Sequence, residues 1–297
     1  MYNNKFKEVK DPTSYIKQLN LLKSRGMLID NDDKVLNILS QLNYYTISGY
    51  LQYFKIDNDN YINGLTFEKI YKIYEFDKRF RNIMQYAIET IEKTLKTKLA
   101  DTLAFNKNFG KLGYLNVNNF KKPKEHSIFL NNFKHQVRDN KKLDFVKHHN
   151  NTYGGLFPIW VASELFTMGM IYNLYINLNT NYQKLIAKKY STGVDQLSSW
   201  IGNIKYIRNI VAHYMRLYNF KLQMTPKKCD INFDTNFKPS YKIFDIIYIM
   251  KFMMFDKDEW NNYIIPNLKA LIQEYEPFVI LNDIGFPVNW EILLKKI

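Results

Sequence analysis

A long apolar repeat between residues 66 and 105 constrains the fold of this chain more than any other feature. Apolar side chains recur there at intervals of three and four residues for about ten turns of an α-helix. The chain also has eight prolines and eleven glycines among 297 residues, and long segments lack both. We therefore predict an all-α fold around a long helix, whose buried side carries Ile70, Ile73, Phe76, Phe80, Ile83, Ala87, Ile91, Leu95 and Leu99.

Shorter segments with the same periodicity flank this helix. No internal repeat or low-complexity linker divides the chain. We predict an N-terminal helical extension over residues 1–60 and one helical domain over 61–297, and we expect strand or irregular structure over 43–54. The spacing predicts further helices at 13–25, 32–42, 158–190 (in two pieces), 194–219, 241–255 and 258–275, the last two among C-terminal helices at about 241–297.

Composition limits the class of protein. With 46% hydrophobic and 16% aromatic residues, the chain can bury a large core. The single cysteine, Cys229, excludes an intramolecular disulfide framework and a cysteine-rich zinc site. The first residues contain no apolar signal-peptide region, and the most apolar run, 241–255, is shorter than the ~20 residues that span a bilayer. We expect a cytoplasmic protein with no membrane partner.

The net charge of +14 indicates a nucleic-acid partner or, as a weaker alternative, an anionic membrane surface. A second explanation is compositional. The chain has 36 lysines and only six arginines, beside much Asn, Ile and Tyr. An AT-rich genome produces such a composition and can make a chain basic for reasons unrelated to its partners. Charge alone leaves both explanations open.

Residues 106–157 differ from the rest of the chain. They contain four of the five histidines and several lysines and glycines, and we predict a partly ordered basic insertion with one or two short helices. Lysine interleaved with Phe, Tyr and His suits phosphate contact with base stacking, although a solvated basic surface has the same composition. A metal site formed by His148 and His149 with His126 and His135 is disfavoured, because no cysteine or paired carboxylates lie nearby.

Residues 206–219, YIRNIVAHYMRLYN, concentrate polar groups on one side of a predicted helix. Asn209, His213 and Arg216 are spaced i, i+4 and i+7, with Arg208 beside them. An ordinary amphipathic helix also shows a polar face. The residue types favour a site, because two of the six arginines lie here. A guanidinium binds phosphate in a bidentate way, and an imidazole suits acid–base chemistry near neutral pH.

Several segments, in the same order, resemble those of a known family. IRNIVAHYMRLYN resembles the Arg-Asn-x-x-x-His signature of HEPN ribonucleases, in the extended form of the Abi-like (abortive infection, AbiD/AbiF) proteins of bacteria. Upstream, YIKQLNLLKSRGMLI, LNYYTISGYLQYF, FDKRFRNIMQYAIETIEKTLKTKLA and FPIWVASELFTMGMIYNLY resemble other parts of that family, and GFPVNW is a further similarity. The resemblance covers about residues 13–219. One departure is Lys96, where the family pattern predicts arginine.

This resemblance implies a HEPN-like helical bundle that cleaves RNA without a metal. In that chemistry the 2′-hydroxyl attacks the adjacent phosphate and leaves 2′,3′-cyclic phosphate and 5′-hydroxyl ends. His213 would act as acid or base, Arg208 and Arg216 would stabilise the phosphorane, and Asn209 would orient the imidazole or a phosphate oxygen. One imidazole supplies half of what the reaction needs. The resemblance therefore implies a homodimer with a composite cleft.

Other polar residues are given supporting roles. Glu92 and Glu164 lie on apolar helices and are expected to hold an arginine of the signature helix, to cap a helix N-terminus or to lie at the surface. We expect Asp77, Arg79 and Arg81 to make ion pairs on a helix surface, with RNA contact as a weaker alternative. Given the family, the basic insertion is predicted to contact RNA through Lys121, Lys122, Lys124, Lys134, His135, Arg138, Lys141, Lys142, Lys147 and His148.

Two functional hypotheses follow. The first is a ribonuclease of anti-phage defence that slows or kills the infected cell. The second is an RNA-binding protein that forms a ribonucleoprotein with a small non-coding RNA and keeps its nuclease site silent or conditionally active. A degenerate module that only dimerises is a third and weaker option. We expect no nucleotide cofactor, because Walker A and GxGxxG motifs are lacking, and we expect no metal. The sequence does not identify an antitoxin partner.

Overall fold

The structure, a computed structural model, describes residues 9, 11–228 and 237–295, and these residues are mostly helical. Within these ranges no β-strand forms, so the predicted all-α class is confirmed. Short 3₁₀ or π segments occur at Gln52–Phe54, Gly113–Leu115, Val117–Asn119, Ser163–Leu165, Trp260–Ile264 and Leu281–Ile284. The α-helices are α1 (Tyr15–Ser24), α2 (Asp32–Gln41), α3 (Tyr44–Leu51), α4 (Phe67–Ala104), α5 (Pro123–Asp139), α6 (Asp144–Thr152), α7 (Ile159–Ala162), α8 (Met168–Asn177), α9 (Thr180–Lys188), α10 (Val194–Ala212), α11 (Ile243–Met253), α12 (Lys257–Glu259), α13 (Ile265–Tyr275) and α14 (Trp290–Leu294).

The long apolar repeat forms α4, a single helix of 38 residues. Its predicted apolar positions are buried except Ile83, which is partly exposed. The chain forms two compact units, and the boundary between them falls within this helix. The first contains the described residues up to Arg79 together with Glu274–Val279, and the second contains those from Phe80 to Gln273 and from Ile280 onward.

In the first unit, residues 43–54 form α3 and the 3₁₀ turn that follows it, so the prediction of strand or irregular structure was wrong. The side chain of Asn43 caps α3 by accepting the N–H of Tyr45 at 2.9 Å. Ile47, Tyr50 and Leu51 are then buried by neighbouring segments of the unit. Burial of one face therefore outweighs the strand preference of the β-branched and aromatic residues in this stretch.

Asp77 is fully buried in the first unit, which corrects the expectation of a surface ion pair. Its carboxylate accepts a hydrogen bond from the hydroxyl of Tyr50 at 2.7 Å. Arg79 does lie at the surface, where it pairs with Glu274 and packs over the ring of Tyr275.

In the second unit, α10 is the central helix. Trp200, Ile201, Ile204 and Ile207 are fully buried along it, and α8, α9 and α11 pack against it. The segment 158–190 breaks into α7, a 3₁₀ turn, α8 and α9, which is more pieces than the two predicted.

The predicted insertion at residues 106–157 is a folded part of this unit, and the expectation of a partly ordered segment is corrected. Its two helices, α5 and α6, are joined to the core by aromatic side chains. Tyr114, Phe133 and Phe157 are buried, and the rings of Tyr114 and Phe133 meet edge to face at 5.7 Å. Apolar residues placed at helical spacing in a lysine-rich segment are therefore what orders it.

The C-terminal helices pack onto the same unit as α10. Almost every side chain of α11 is buried, and the indole N–H of Trp260 donates to the carbonyl of Leu294 at 2.7 Å. The π-helical turn Trp260–Ile264 stands just before Pro266, whose ring would otherwise clash with a carbonyl one turn earlier. Within the described chain, no helix has both the length and the apolarity needed to cross a membrane.

Asp245 fixes the start of α11. It is 1% exposed, and its carboxylate accepts hydrogen bonds from the N–H groups of Ser240 and Tyr241 and from the Ser240 hydroxyl at 2.9–3.1 Å. Burial raises the pKa of this carboxyl, and the hydrogen bonds act in the opposite direction. Gly285, with φ of 82°, lies so close that an added Cβ would collide with Ser240. The GFPVNW segment therefore has a packing role.

Candidate active site

The signature segment is only partly helical, because α10 ends at Ala212 and not at residue 219 as predicted. Tyr214 has a left-handed backbone with φ of 56°. The N–H of Tyr214 donates to the carbonyl of Val211, and the N–H of Met215 donates to that of Ile210, both at 3.0 Å. These two bonds form a Schellman motif, which closes many helices and usually has glycine in the left-handed position.

Tertiary burial explains where the helix ends. Leu217 and Tyr218 are 0% and 1% exposed, so the chain turns inward directly after the Schellman motif. The Tyr218 hydroxyl donates to the carboxylate of Asp283 at 2.8 Å and accepts the N–H of Ile280 at 3.2 Å. If the helix continued, Leu217 and Tyr218 would lie in different positions and would lose this burial.

Arg208, Asn209 and His213 come together at this helix end. Arg208 and Asn209 lie in the last turn of α10, and His213 is the C-cap residue, whose N–H donates to the carbonyl of Asn209 at 3.1 Å. Asn209 and His213 are exposed, and the side chain of Arg208 is 40% exposed. All three predicted catalytic residues are therefore accessible to solvent at this end of α10.

Arg216 departs from the predicted arrangement. It lies beyond the end of α10, so it does not share a helical face with Asn209 as the spacing predicted. One guanidinium nitrogen donates to the carbonyl of Tyr218 at 2.7 Å. Arg216 thus holds the turn after the signature helix.

Arg81 is a site-supporting residue that the sequence analysis missed. Its side chain is 6% exposed, which contradicts the expected surface ion pair, and its guanidinium donates to the carbonyl of Met215 at 3.4 Å. It therefore holds the backbone two residues after His213. A detectable signal was present, since arginine is rare in this chain and Arg81 stands next to the buried Phe80.

Glu92 connects α4 to the signature helix. Its carboxylate lies 4.0 Å from the Nε of Arg208 and 3.6 Å from the Nζ of Lys96. Lys96, the residue that departs from the family pattern, also reaches the backbone carbonyl of Glu164 at 3.5 Å. Glu92 and Glu164 were both expected to hold an arginine of the signature helix, and in the structure Glu92 pairs with Arg208. Glu164 is exposed and takes part through its backbone.

The candidate RNA-binding residues are all exposed. Lys124, Lys134, His135 and Arg138 share one face of α5 within an arc of about 100°, opposite the buried Phe129. Three of the others make side-chain contacts. Lys121 contacts Gln183 at 2.6 Å, and Lys147 contacts Asp144 and His148 contacts Thr152, both at 3.3 Å. The remaining residues of the set are Lys122, Lys141 and Lys142.

Two histidines of the insertion are part of the core and cannot serve at its surface. His126 is hydrogen bonded to the carbonyl of Tyr114 at 2.8 Å and stacks on Phe120, while His149 is bonded to the carbonyl of Phe145 at 2.8 Å. In the part of the chain that the structure describes, no group of three or more His, Cys, Asp or Glu side chains is arranged to hold a metal ion. Cys229 lies outside the described residues.

Comparison with known proteins identifies one family. No curated protein and no solved structure matches the chain. The family model described as "Abi-like protein" matches residues 37–219. This range contains α4, Glu92, the basic face of α5 and the signature segment through Asn219, and it is more than half of the chain. The chain therefore belongs to the Abi-like protein family.

Proposed function

We propose that this protein is a metal-independent endoribonuclease of the HEPN type that acts in abortive-infection defence against phage. The observation that carries the proposal is the exposure of Arg208, Asn209 and His213 together at the end of α10, with Glu92 beside Arg208. Family membership supports the role in defence, and the residue types support the chemistry.

The reaction needs one group that moves protons and one that neutralises charge. The His213 imidazole would take the proton from the 2′-hydroxyl or give one to the leaving 5′-oxygen. The Arg208 guanidinium would bind the phosphate oxygens and stabilise the negative charge of the phosphorane. Asn209, one turn before His213, would orient the imidazole or hold a phosphate oxygen. DNA lacks the 2′-hydroxyl nucleophile and is not a substrate.

A second copy of the chain would complete the site. Each chain supplies one exposed imidazole at this helix end, whereas the reaction uses both a base and an acid. Tyr214 and Met215, directly after His213, are 83% and 49% exposed. Apolar side chains at this position suit coverage by a partner, which would bring two copies of His213 and Arg208 into one cleft.

A second candidate function is a ribonucleoprotein with a small non-coding RNA. The observation that favours it is the exposed basic face of α5, formed by Lys124, Lys134, His135 and Arg138. This face lies on a different helix from the cleavage residues, and a protein can bind RNA there with its nuclease site silent. The two functions are compatible, because a bound RNA can restrain the nuclease.

Cleavage assays with matched variants test the proposal. The wild-type protein and His213→Ala would be incubated with total cellular RNA in EDTA, and the new RNA ends would be mapped. We expect 2′,3′-cyclic phosphate ends from the wild type only, and none from DNA of the same sequence. Arg208→Ala should match His213→Ala, because both remove groups needed in the transition state.

Sequencing the RNA that copurifies with each protein separates the two functions. New cyclic phosphate ends that vanish in His213→Ala support the ribonuclease. One discrete RNA bound equally by both proteins, with no new ends, would overturn the ribonuclease in favour of the ribonucleoprotein. Nicking of DNA, or cleavage that EDTA abolishes, would contradict the proposed chemistry.

A further inference from the structure

Two adjoining cavities in the second unit have no role in the proposed chemistry. The first has a volume of about 590 Å³ and lies between the end of α4 and α9. The second, of about 940 Å³, lies between α9 and the start of α10. Lys188 lines both cavities, so they adjoin at this residue. Their volumes lie in the range of roughly 300–1,000 Å³ that is typical of ligand sites.

Lysine dominates the charge of both cavities. None of their lysines forms an ion pair with a carboxylate of the described residues. Asp195 already pairs with Lys227, at 3.7 Å, and Asp101 is the other acidic residue of the lining. Lys121 donates to the neutral side chain of Gln183, which leaves its charge uncompensated. The lysines concerned are Lys98, Lys188 and Lys189 in the first cavity and Lys121, Lys184 and Lys188 in the second.

The first cavity also presents a ring to solvent. Phe105 is 88% exposed immediately after α4, and Leu185 on the facing helix is 39% exposed. An exposed aromatic ring beside lysines is the combination that proteins use to stack a base while contacting its phosphate. An acidic peptide would use the lysines but would give the ring no planar partner.

Each cavity is lined by a threonine whose hydroxyl is buried and has no hydrogen-bond partner among the described residues. These are Thr102 in the first cavity and Thr192 in the second. Buried hydroxyls are normally satisfied, so an unpartnered one at a cavity wall calls for an explanation. These two hydroxyls have almost no accessible surface, so a ligand in the cavities does not reach them directly, and the binding proposed below rests on the lysines and on Phe105.

We propose that the two cavities form one groove that binds single-stranded RNA, with Phe105 stacked on an unpaired base and the lysines on successive phosphates. Stacking needs a base freed from a duplex, which makes the groove selective for single strands. Phe105 lies about 20 Å along α4 from Glu92, so the groove is separate from the cleavage residues and anchors RNA. RNA as the ligand rests on the proposed function.

The test measures binding without cleavage. The full-length chain with His213→Ala serves as the parent, and a fluorescein-labelled single-stranded RNA of about 12 nucleotides is titrated by anisotropy. Phe105→Ala in this parent should bind about 5- to 100-fold more weakly, and Phe105→Trp should bind like the parent, because it keeps an aromatic face. Val288→Ala, which removes a fully exposed apolar side chain elsewhere, is the matched control.

Salt dependence tests the lysines. Lys188→Ala should make the slope of log affinity against log salt shallower by about 0.7 for each phosphate that this lysine neutralises. Lys93→Ala removes an exposed lysine of α4 that pairs with Glu89 outside the groove, and it should leave the slope unchanged. Thermal melting of each variant checks that the fold is intact.

The outcomes separate the groove from the nuclease. Phe105→Ala and Lys188→Ala proteins that bind single-stranded RNA like the parent would overturn the groove and leave the proposed cleavage standing. Parent protein that fails to bind the RNA would also overturn it. Weakened binding in these variants, with no cleavage by the wild type in the ends-mapping assay, would support the groove and overturn the nuclease.

Discussion

Glu92 of α4 lies 4.0 Å from the guanidinium of Arg208 on α10, and this contact joins the longest helix of the chain to the proposed cleavage site. Glu92→Gln removes the charge and keeps the shape. We expect at least about a tenfold loss of kcat, because Arg208 is no longer held toward the phosphate. The free energy of unfolding should change by less than about 1 kcal/mol, as is usual for partly exposed pairs.

Glu164→Gln is the matched control for this prediction. Its exposed side chain does not form the pair with Arg208, so kcat should stay at the wild-type value. Equal losses in the two variants would show that Glu92 does not position the arginine.

Dimerisation predicts a second result. Met215→Asp places a charge on the exposed apolar surface beside His213, and we expect it to shift the protein from about 71 kDa, twice the chain mass of 35.6 kDa, to the monomer mass. RNA cleavage should disappear in parallel. Sedimentation velocity gives the mass. Met224→Asp, at a methionine that is 74% exposed, should leave both mass and cleavage unchanged. A monomeric wild type that cleaves RNA would disprove the composite site.

Arg81 should matter for stability. Arg81→Met removes a buried charged donor and leaves the Met215 carbonyl without it, so the free energy of unfolding should fall by about 1.5–3 kcal/mol in urea titrations. Arg79→Met removes the exposed pair with Glu274 and should cost less than about 1 kcal/mol. Similar losses in both variants would argue against a special role for the buried arginine.

Tyr214 offers a stabilising substitution. A left-handed backbone costs a non-glycine residue about 1–2 kcal/mol, and glycine loses about 0.5–1 kcal/mol through its flexibility in the unfolded chain. Because Tyr214 is 83% exposed in the single chain and buries little there, Tyr214→Gly should raise the free energy of unfolding by about 0.5–1 kcal/mol in the monomeric Met215→Asp background, where no partner covers the ring. Asn219→Gly, at φ of 52°, should gain less, since asparagine tolerates this conformation. A destabilised Tyr214→Gly would show that the ring contributes contacts.

Asp245 predicts a dependence of stability on pH. Burial raises the pKa of this carboxyl above its ordinary value of 3.8, so between these two pKa values the folded protein binds more protons than the unfolded chain. The contribution of Asp245 to the free energy of unfolding therefore falls as pH rises through that window and is constant above it. Asp245→Asn lacks this titration. Its stability relative to wild type should rise from about pH 4 upward until the folded pKa is passed; a constant difference would refute the shift.

Local pattern and family resemblance together predicted much of this molecule. The three-and-four spacing in residues 66–105 predicted α4, and the ordered segments around the signature predicted the family, because both depend on the residues themselves. The placement of Arg208, Asn209 and His213 on one surface also followed from the sequence. His213 follows Arg208 by five positions, so these residues lie in the last turn and at the C-cap of α10 even though the helix ends at Ala212.

Interactions between distant segments decided the rest. The spacing of apolar residues predicted that the signature helix runs to residue 219. Burial of Leu217 and Tyr218 against segments far along the chain ends it instead. Likewise, the lysine-rich insertion is ordered by a few aromatic side chains, and the buried position of Arg81 depends on a carbonyl more than a hundred residues away. The helical period in a sequence shows which residues share a face of a helix. Which distant segment of the chain packs against that face is decided only by the tertiary structure.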